Sequence, residues 1–197
     1  MKIVEKEFIN EIVIEKSRFI TYLNKVDSID EANEYLNVIK KKHYDATHHC
    51  LALIIDDINR SSDNGEPSGT AGVPILDVLK KNDINHTICI VVRYFGGIKL
   101  GAGGLVRAYS TSASEALKKA TFLTLKTYKR YELIIDYSTY NQIIYLLKDK
   151  IIKNDFTHNI TLIVDIDDDK IIEKIKDISL GNASIKYLSN VEKYVSI

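Results

Sequence analysis

Two stretches of the 197-residue chain gather the residue types able to do chemistry. One is Ser61-Ser62-Asp63-Asn64-Gly65-Glu66-Pro67-Ser68-Gly69-Thr70-Ala71-Gly72, and the other runs from Arg93-Tyr94-Phe95-Gly96-Gly97 through Ile98-Lys99-Leu100-Gly101-Ala102-Gly103-Gly104 to Leu105-Val106-Arg107. Eight of the nine glycines and both prolines (Pro67, Pro74) fall between Gly65 and Gly104, and Gly181 is the ninth glycine. Glycines ahead of a helix leave backbone N–H groups free and let an anion approach closely. Arg93, Lys99 and Arg107 add positive charge around that nest. With 22 lysines against five arginines, an arginine here suggests a need for a planar fork rather than a point charge. The chemistry expected is phosphate binding. A structural clasp, in which the arginines pair with Asp63 and Glu66 across the two loops, is the compatible alternative.

Standard nucleotide motifs do not match. Gly96 and Gly101 are spaced like part of a P-loop, but Ala102-Gly103 stands where Lys-Ser/Thr is required. Gly101-Ala102-Gly103 begins like a dinucleotide fingerprint, yet Val106 replaces its last glycine. His48 and Cys50 would share one face of a strand, a geometry that can hold zinc, but no third ligand stands at a recognisable spacing. Ser68 or Thr70 can be grouped on paper with His48 and Asp63 as a nucleophile set, without a nucleophile-elbow motif behind it. Asp167-Asp168-Asp169 reads as the dipole-favoured start of a helix. No metal, no cofactor and no catalytic residue are expected.

Both loops need a frame to hold them. Residues 3–24 read as two or three short strands. Ser28-Ile29-Asp30-Glu31 has the capping-box form, and Ile29, Ala32, Leu36 and Ile39 behind it predict a helix over 28–42. Cys50–Ile55 and Thr87–Val92 are continuous apolar runs, hence buried strands. Each precedes one glycine loop, which would put both loops at one edge of a sheet. Pro74 suits a first helical position, and Leu105, Tyr109, Ala113, Ala116, Leu117 and Ala120 trace a helix over 104–120. Beyond a boundary near Lys126–Lys129, Glu132-Leu133-Ile134-Ile135-Asp136 reappears as Thr161-Leu162-Ile163-Val164-Asp165, each followed by a helical pattern. Further short strands near 151–157 and 184–195 would complete two strand–helix–strand units, the pattern of a ferredoxin-like domain. The expectation is an α+β protein of two domains, 1–127 and 128–197.

Charge is balanced at 27 basic and 27 acidic residues, with a pI near 7.0, which excludes a general polycation but not a local basic site. No apolar run reaches the roughly 18–20 residues of a membrane span. Met1-Lys2-Ile3-Val4-Glu5 mixes charges too early for a signal peptide, and Cys50 and Cys89 sit inside apolar runs as reduced core thiols would. A cytoplasmic protein is expected.

At the two loops the sequence resembles the IMPACT/YigZ family. Asp63 to Leu76 looks like its hallmark block, Val91 to Tyr109 like its second, and Thr47-His48-His49-Cys50 like its threonine–histidine–x–cysteine element. Asn64 departs from the pattern, since many members carry a second aspartate there. The resemblance implies an N-terminal domain with the fold of the second domain of ribosomal protein S-five. It also implies a ferredoxin-like C-terminal domain, a pair similar to the last two domains of elongation factor G. That ties the family to translation. Its eukaryotic members bind a ribosome-associated activator of an initiation-factor kinase, whereas the short two-domain form is the bacterial type.

The leading expectation is a non-enzymatic, translation-associated protein that binds RNA or the ribosome. Arg93, Tyr94, Gly96, Gly97, Lys99, Gly101, Gly103, Gly104 and Arg107 would form the phosphate and nucleic-acid site, with Tyr94 or Phe95 available to stack on a base. Asp63, Gly65, Glu66, Ser68, Gly69, Thr70 and His48 would form a loop able to dock a regulatory protein or translation factor. The alternatives are an enzyme or nucleotide-binding protein acting on a phosphorylated small molecule, and a protein–protein adaptor in stress control.

Overall fold

A computed structural model describes residues 1–197. It is a mixed α+β structure that divides into two compact units, Met1–Thr124 with Ser196–Ile197, and Leu125–Val195.

The first unit holds β1 (Lys2–Val4), β2 (Phe8–Ile14), β3 (Ser17–Lys25), α1 (Ile29–Lys42), β4 (His48–Ile55), β5 (Ile58–Ser62), α2 (Gly72–Lys81), β6 (Thr87–Tyr94) and α3 (Gly101–Lys119). Its main sheet has the order β2-β3-β6-β4-β5, with every neighbouring pair antiparallel. Side chains alternate between two cores. Phe19, Leu23, Cys50, Ala52, Cys89 and Val91 face α2 and α3, while Ile20, Tyr22, Leu53, Ile88, Ile90 and Val92 face α1. Covering both faces is why β4 and β6 read as unbroken apolar runs. α1 begins as its sequence requires: Ser28 accepts from Glu31 N at 3.1 Å, while Glu31 Oε2 reaches back to Asp27 N at 2.7 Å. Such a cap is worth about 1 kcal/mol.

Three local expectations need correction. Pro74 is the third residue of α2, not its first, and is tolerated because first-turn N–H groups have no helical partner. α3 begins at Gly101 rather than 104, so Gly101, Gly103 and Gly104 belong to its first turn and not to a loop. The stretch after β4 carries β5, an edge strand whose side chains are all exposed. Asp56 adopts φ 50° at the hairpin between β4 and β5, and Glu15 and Lys16 adopt φ 45° and 63° between β2 and β3. The chain thus makes these two turns without glycine.

The second unit runs β7 (Phe122–Ile135), α4 (Tyr137–Leu147), β8 (Ile151–Phe156), β9 (Ile160–Ile166), α5 (Lys170–Ile178) and β10 (Ser184–Ser196), with the first residues of β7 belonging to the first unit. Its strand order is β10-β7-β9-β8. The two similar sequence segments lie side by side, Glu132 opposite Ile163 and Leu133 opposite Leu162, on antiparallel strands. Leu133 and Ile135, Ile143 and Leu147, Ile160 and Leu162, and Ile172 and Ile175 share one core, so both helices cover the same sheet face. No helix in the chain is long and apolar enough to cross a membrane.

Candidate functional site

The loop between β5 and α2 is organised by one carboxylate. Asp63 Oδ2 accepts from Gly69 N at 2.8 Å, and Oδ1 from Ala71 N and Gly72 N at 3.0 and 2.8 Å. Partial burial raises the Asp63 pKa, but the three N–H bonds outweigh it and hold the carboxyl below its ordinary value. α2 has no cap on its own Ala71, and Asp63 supplies the anion its N-terminus favours. A Cβ on Gly72 would stand 2.6 Å from Ser62 N, so this turn closes only around glycine. Asn64 Oδ1 accepts from His49 N at 2.7 Å. The side-chain oxygen of Asn64 only accepts there, a role that an amide and a carboxylate fill equally.

Behind the loop lies a buried polar cluster. β4 and β6 pair His48 with Arg93, and both side chains meet Glu66. Arg93 is only 5% exposed and gives Nη1–H to Glu66 Oε1 at 2.6 Å and Nη2–H to Ser17 Oγ at 3.3 Å. The Tyr109 hydroxyl, buried in α3, donates to the same Oε1 at 2.8 Å. Cys50 Sγ lies 3.3 Å from that hydroxyl and 3.0 Å from the Asp63 carbonyl oxygen, its acceptor. Burial pushes the Cys50 thiol up to about 12 and raises the Tyr109 phenol as well, so neither ionises at neutral pH. His48 donates Nδ1–H to Asn64 O at 2.9 Å, which leaves Nε2 facing Glu66 Oε2 at 3.8 Å.

This geometry revises two expectations. Arg93 does not stand on the surface beside the glycines; as the clasp reading expects, it is the buried partner of Glu66. Asp63 is not an arginine partner but a backbone cap. In the sequence Tyr109 is legible only as an inward helix position, although a buried tyrosine hydroxyl requires a partner. The grouping of Ser68, Thr70, His48 and Asp63 does not assemble as a nucleophile set, because Asp63 is occupied by backbone N–H groups and Thr70 donates to Pro67 O at 2.7 Å. Ser68 is exposed.

The second loop differs. Gly96 lies flat against the β2–β3 turn, where a Cβ would come within 2.0 Å of Lys16 C. Gly97 follows at φ 86°, and Gly101 opens α3 at φ 68°. α3 has Leu100 as N-cap, no side-chain cap and no acidic residue in its first turn. Lys99 and Arg107 are exposed, and Arg107 Nη1 lies 4.0 Å from where a Gly103 Cβ would sit, beside that first turn. A pocket of ≈ 250 Å³ opens between Glu66, Arg93, Phe95 and Leu105, with Lys99, Leu100, Gly101 and Ala102 along its rim. A second, of ≈ 400 Å³, shares Lys99 and Leu100 and adds Gly104 and Arg107. Phe95 is 48% exposed. Tyr94 is committed inward: its hydroxyl donates to Asp45 at 3.1 Å and accepts from His43 Nδ1–H at 2.9 Å, while His43 Nε2 accepts from Tyr22. Burial lowers the His43 pKa, consistent with the neutral ring this chain of bonds requires.

In the second unit Asp169 is the N-cap position of α5, Asp168 accepts from Lys170 N at 3.0 Å, and Asp167 binds Lys126 and Lys150. The acidic run therefore serves the helix start and ion pairs.

A clasped loop and an open glycine turn, set on one antiparallel sheet between two helical layers, define a recognisable domain. The Impact N-terminal domain matches residues 15–117. The chain is 37% identical to the IMPACT family member YigZ of Escherichia coli over 183 residues, covering 87% of this chain and 90% of that one. It is 52% identical to the IMPACT family member YvyE of Bacillus subtilis over 132 residues, covering 66% of this chain and 61% of YvyE. A crystal structure described as that of a hypothetical protein superimposes at TM-score 0.61 with 33% identity, covering 95% of this chain and 97% of that chain. The chain belongs to the IMPACT family.

Proposed function

We propose that this is a non-enzymatic, translation-associated protein of the cytoplasm that binds RNA, free or within the ribosome, at the N-terminus of α3. The observation that carries the reading is the uncapped first turn of α3 flanked by the exposed Lys99 and Arg107. Free N–H groups at a helix start, a positive dipole end and two unpaired cations are the requirements of a phosphate site. Gly97, Gly101, Gly103 and Gly104 keep side chains away from it, and Phe95 is the ring available for stacking. Arg93 contributes from beneath, as the fixed wall of the adjoining pocket. The translation context rests on the family's likeness to paired translation-factor domains. The strand order β10-β7-β9-β8 supports reading the second unit as ferredoxin-like, and the sheet of the first supports the ribosomal-protein-like assignment.

The test is RNA binding measured against salt. Each phosphate contact to a single strand contributes a slope of about 0.7 in log affinity against log salt. A Lys99→Ala, Arg107→Ala double variant should bind more weakly and lose about 1.4 of that slope. Equal affinity and equal slope for variant and wild type would remove the site from this place.

A further inference from the structure

Two pockets meet at the start of α3. The first, of ≈ 250 Å³, has apolar walls from Pro67, Phe95, Ala102 and Leu105, and its two buried charges, Glu66 and Arg93, neutralise each other at 2.6 Å. The Arg93 guanidinium also lies over the Phe95 ring, 5.6 Å from its centroid, and backs it from within, while Phe95 stays 48% exposed. The second pocket, of ≈ 400 Å³, is lined by Ile14, Ile98 and Ala108 together with Thr111, Glu15 and Arg107. Lys99 and Leu100 belong to the walls of both. At 3.6 residues per turn, Gly101, Ala102 and Leu105 border the first pocket, and Gly104, Arg107, Ala108 and Thr111 border the second roughly a third of a turn further round. The uncapped first turn of α3 therefore stands between them.

We propose that this site takes an internal phosphodiester of a single RNA strand, with the nucleoside on each side of it seated in one of the two pockets. The charges divide the ligand in this way. Each pocket holds a carboxylate, Glu66 in the first and Glu15 in the second, which disfavours a phosphate inside it. The unpaired cations stand where the pockets meet: Lys99 is common to both, and Arg107 Nη1 lies 4.0 Å from the Gly103 Cβ position in the first turn. A phosphodiester matches that order, with one charge in the middle and an uncharged nucleoside on either side. A terminal phosphate brings a nucleoside to one pocket alone. A duplex turns its bases inward on their partners, so an unpaired strand is the form that can offer two neighbouring bases at once. Stacking on apolar and aromatic side chains tolerates every base, so the pair of pockets selects an open strand rather than a sequence. This assignment rests on the phosphate site proposed above and extends it to both neighbouring nucleosides.

The experiment is a titration of the full chain with 5′-AMP, 3′-AMP, the dinucleotide ApA and a single-stranded ten-nucleotide RNA. A phosphate monoester carries about −1.5 to −2 at pH 7, whereas the diester of ApA carries a single charge, so attraction to the cations alone ranks both monophosphates above ApA. Two seated nucleosides reverse that order, and ApA should bind about tenfold more tightly than either monophosphate. Phe95→Ala in the first pocket and Ile98→Ala in the second should each remove most of that advantage. Both side chains are exposed, so each variant should keep its fold, which its melting temperature checks. ApA no tighter than the monophosphates, with the longer RNA still weakened by the Lys99 and Arg107 substitutions, overturns the paired pockets and keeps the phosphate site. An ApA advantage untouched by both variants also overturns the pockets, since the nucleosides then sit elsewhere. A longer RNA indifferent to Lys99 and Arg107 overturns the phosphate site and this assignment with it.

Discussion

The two glycine loops occupy matching places, each coming off a strand and opening a helix, yet they solve the helix start in opposite ways. α2 draws its anion from within the chain, since the Asp63 carboxylate holds Gly69, Ala71 and Gly72 by their N–H groups. α3 has no such partner: its N-cap is Leu100, with no side-chain bond and no acid in its first turn. The same division holds for the arginines. Arg93 is sealed against Glu66, and Arg107 lies in solvent. The closed loop therefore shows what the open one lacks, an anion seated on first-turn N–H groups. One loop carries its own anion, and the other opens its helix without one.

The sharpest way to break this comparison is to treat the two arginines alike. Arg93→Met leaves Glu66 buried without its cation and should cost about 3–5 kcal/mol in urea unfolding. Adding Glu66→Leu should recover much of that loss, because the uncompensated charge is what destabilises. Arg107→Ala should stay within about 0.5 kcal/mol of wild type. Similar losses for Arg93→Met and Arg107→Ala would show that both arginines are structural.

Asp63→Ala comes next, at about 2–3 kcal/mol, since three loop N–H groups lose their acceptor together. The pH dependence has a definite sign. Asp63 is held below its ordinary 3.8, so its contribution is complete above that value and is lost as pH falls through it toward the folded-state pKa. Stability followed from pH 6 down to about pH 3 should therefore decline less steeply in Asp63→Ala than in wild type. Parallel declines would mean that the carboxylate is not the clamp.

Glycine itself can be compared across the loops. Gly72→Ala drives a Cβ to 2.6 Å from the Ser62 backbone and should destabilise by about 1–3 kcal/mol. Gly103→Ala meets nothing closer than Arg107 Nη1 at 4.0 Å, within a helix, and should stabilise by about 0.5–1 kcal/mol in thermal unfolding. A loss at Gly103 would mean that this glycine too is required for packing.

How much of this could be read from the residues follows the same divide. α1, β4 and β6 were legible because periodicity and burial act over neighbouring positions: Ser28 caps at once, and apolar runs become strands covered on both faces. β5 was not, since its five side chains are all exposed and leave no apolar alternation. The start of α3 was misplaced because three glycines are poor helix formers, and their composition reads as a turn. Asp63, Glu66 and Arg93 stand out by residue type and spacing, but their state does not. Whether Arg93 faces solvent or Glu66 depends on the register that sets it opposite His48 and on the approach of Tyr109 from α3, contacts between positions far apart in the chain. Asn64 was legible as a departure from the family pattern. What its side chain does, accept from His49 N, emerged only from the structure.

The smallest change in stability should carry the clearest change in binding. Ala102 is exposed at the second position of α3 and borders the pocket. Ala102→Glu gives α3 the internal anion that α2 already has. A carboxylate in the first turn of a helix favours the fold by about 0.3–1 kcal/mol, so the melting temperature should hold or rise slightly. The same charge competes for the free N–H groups and repels phosphate, so RNA affinity should fall by about tenfold or more at low salt, and the deficit should shrink as salt rises. Ala102→Gln, similar in shape but uncharged, should bind nearly as wild type. A weakened Ala102→Gln would assign the effect to bulk at the pocket rim. An undiminished Ala102→Glu would show that the open end of α3 is not where an anion sits, and the contrast between the two loops would then concern folding alone.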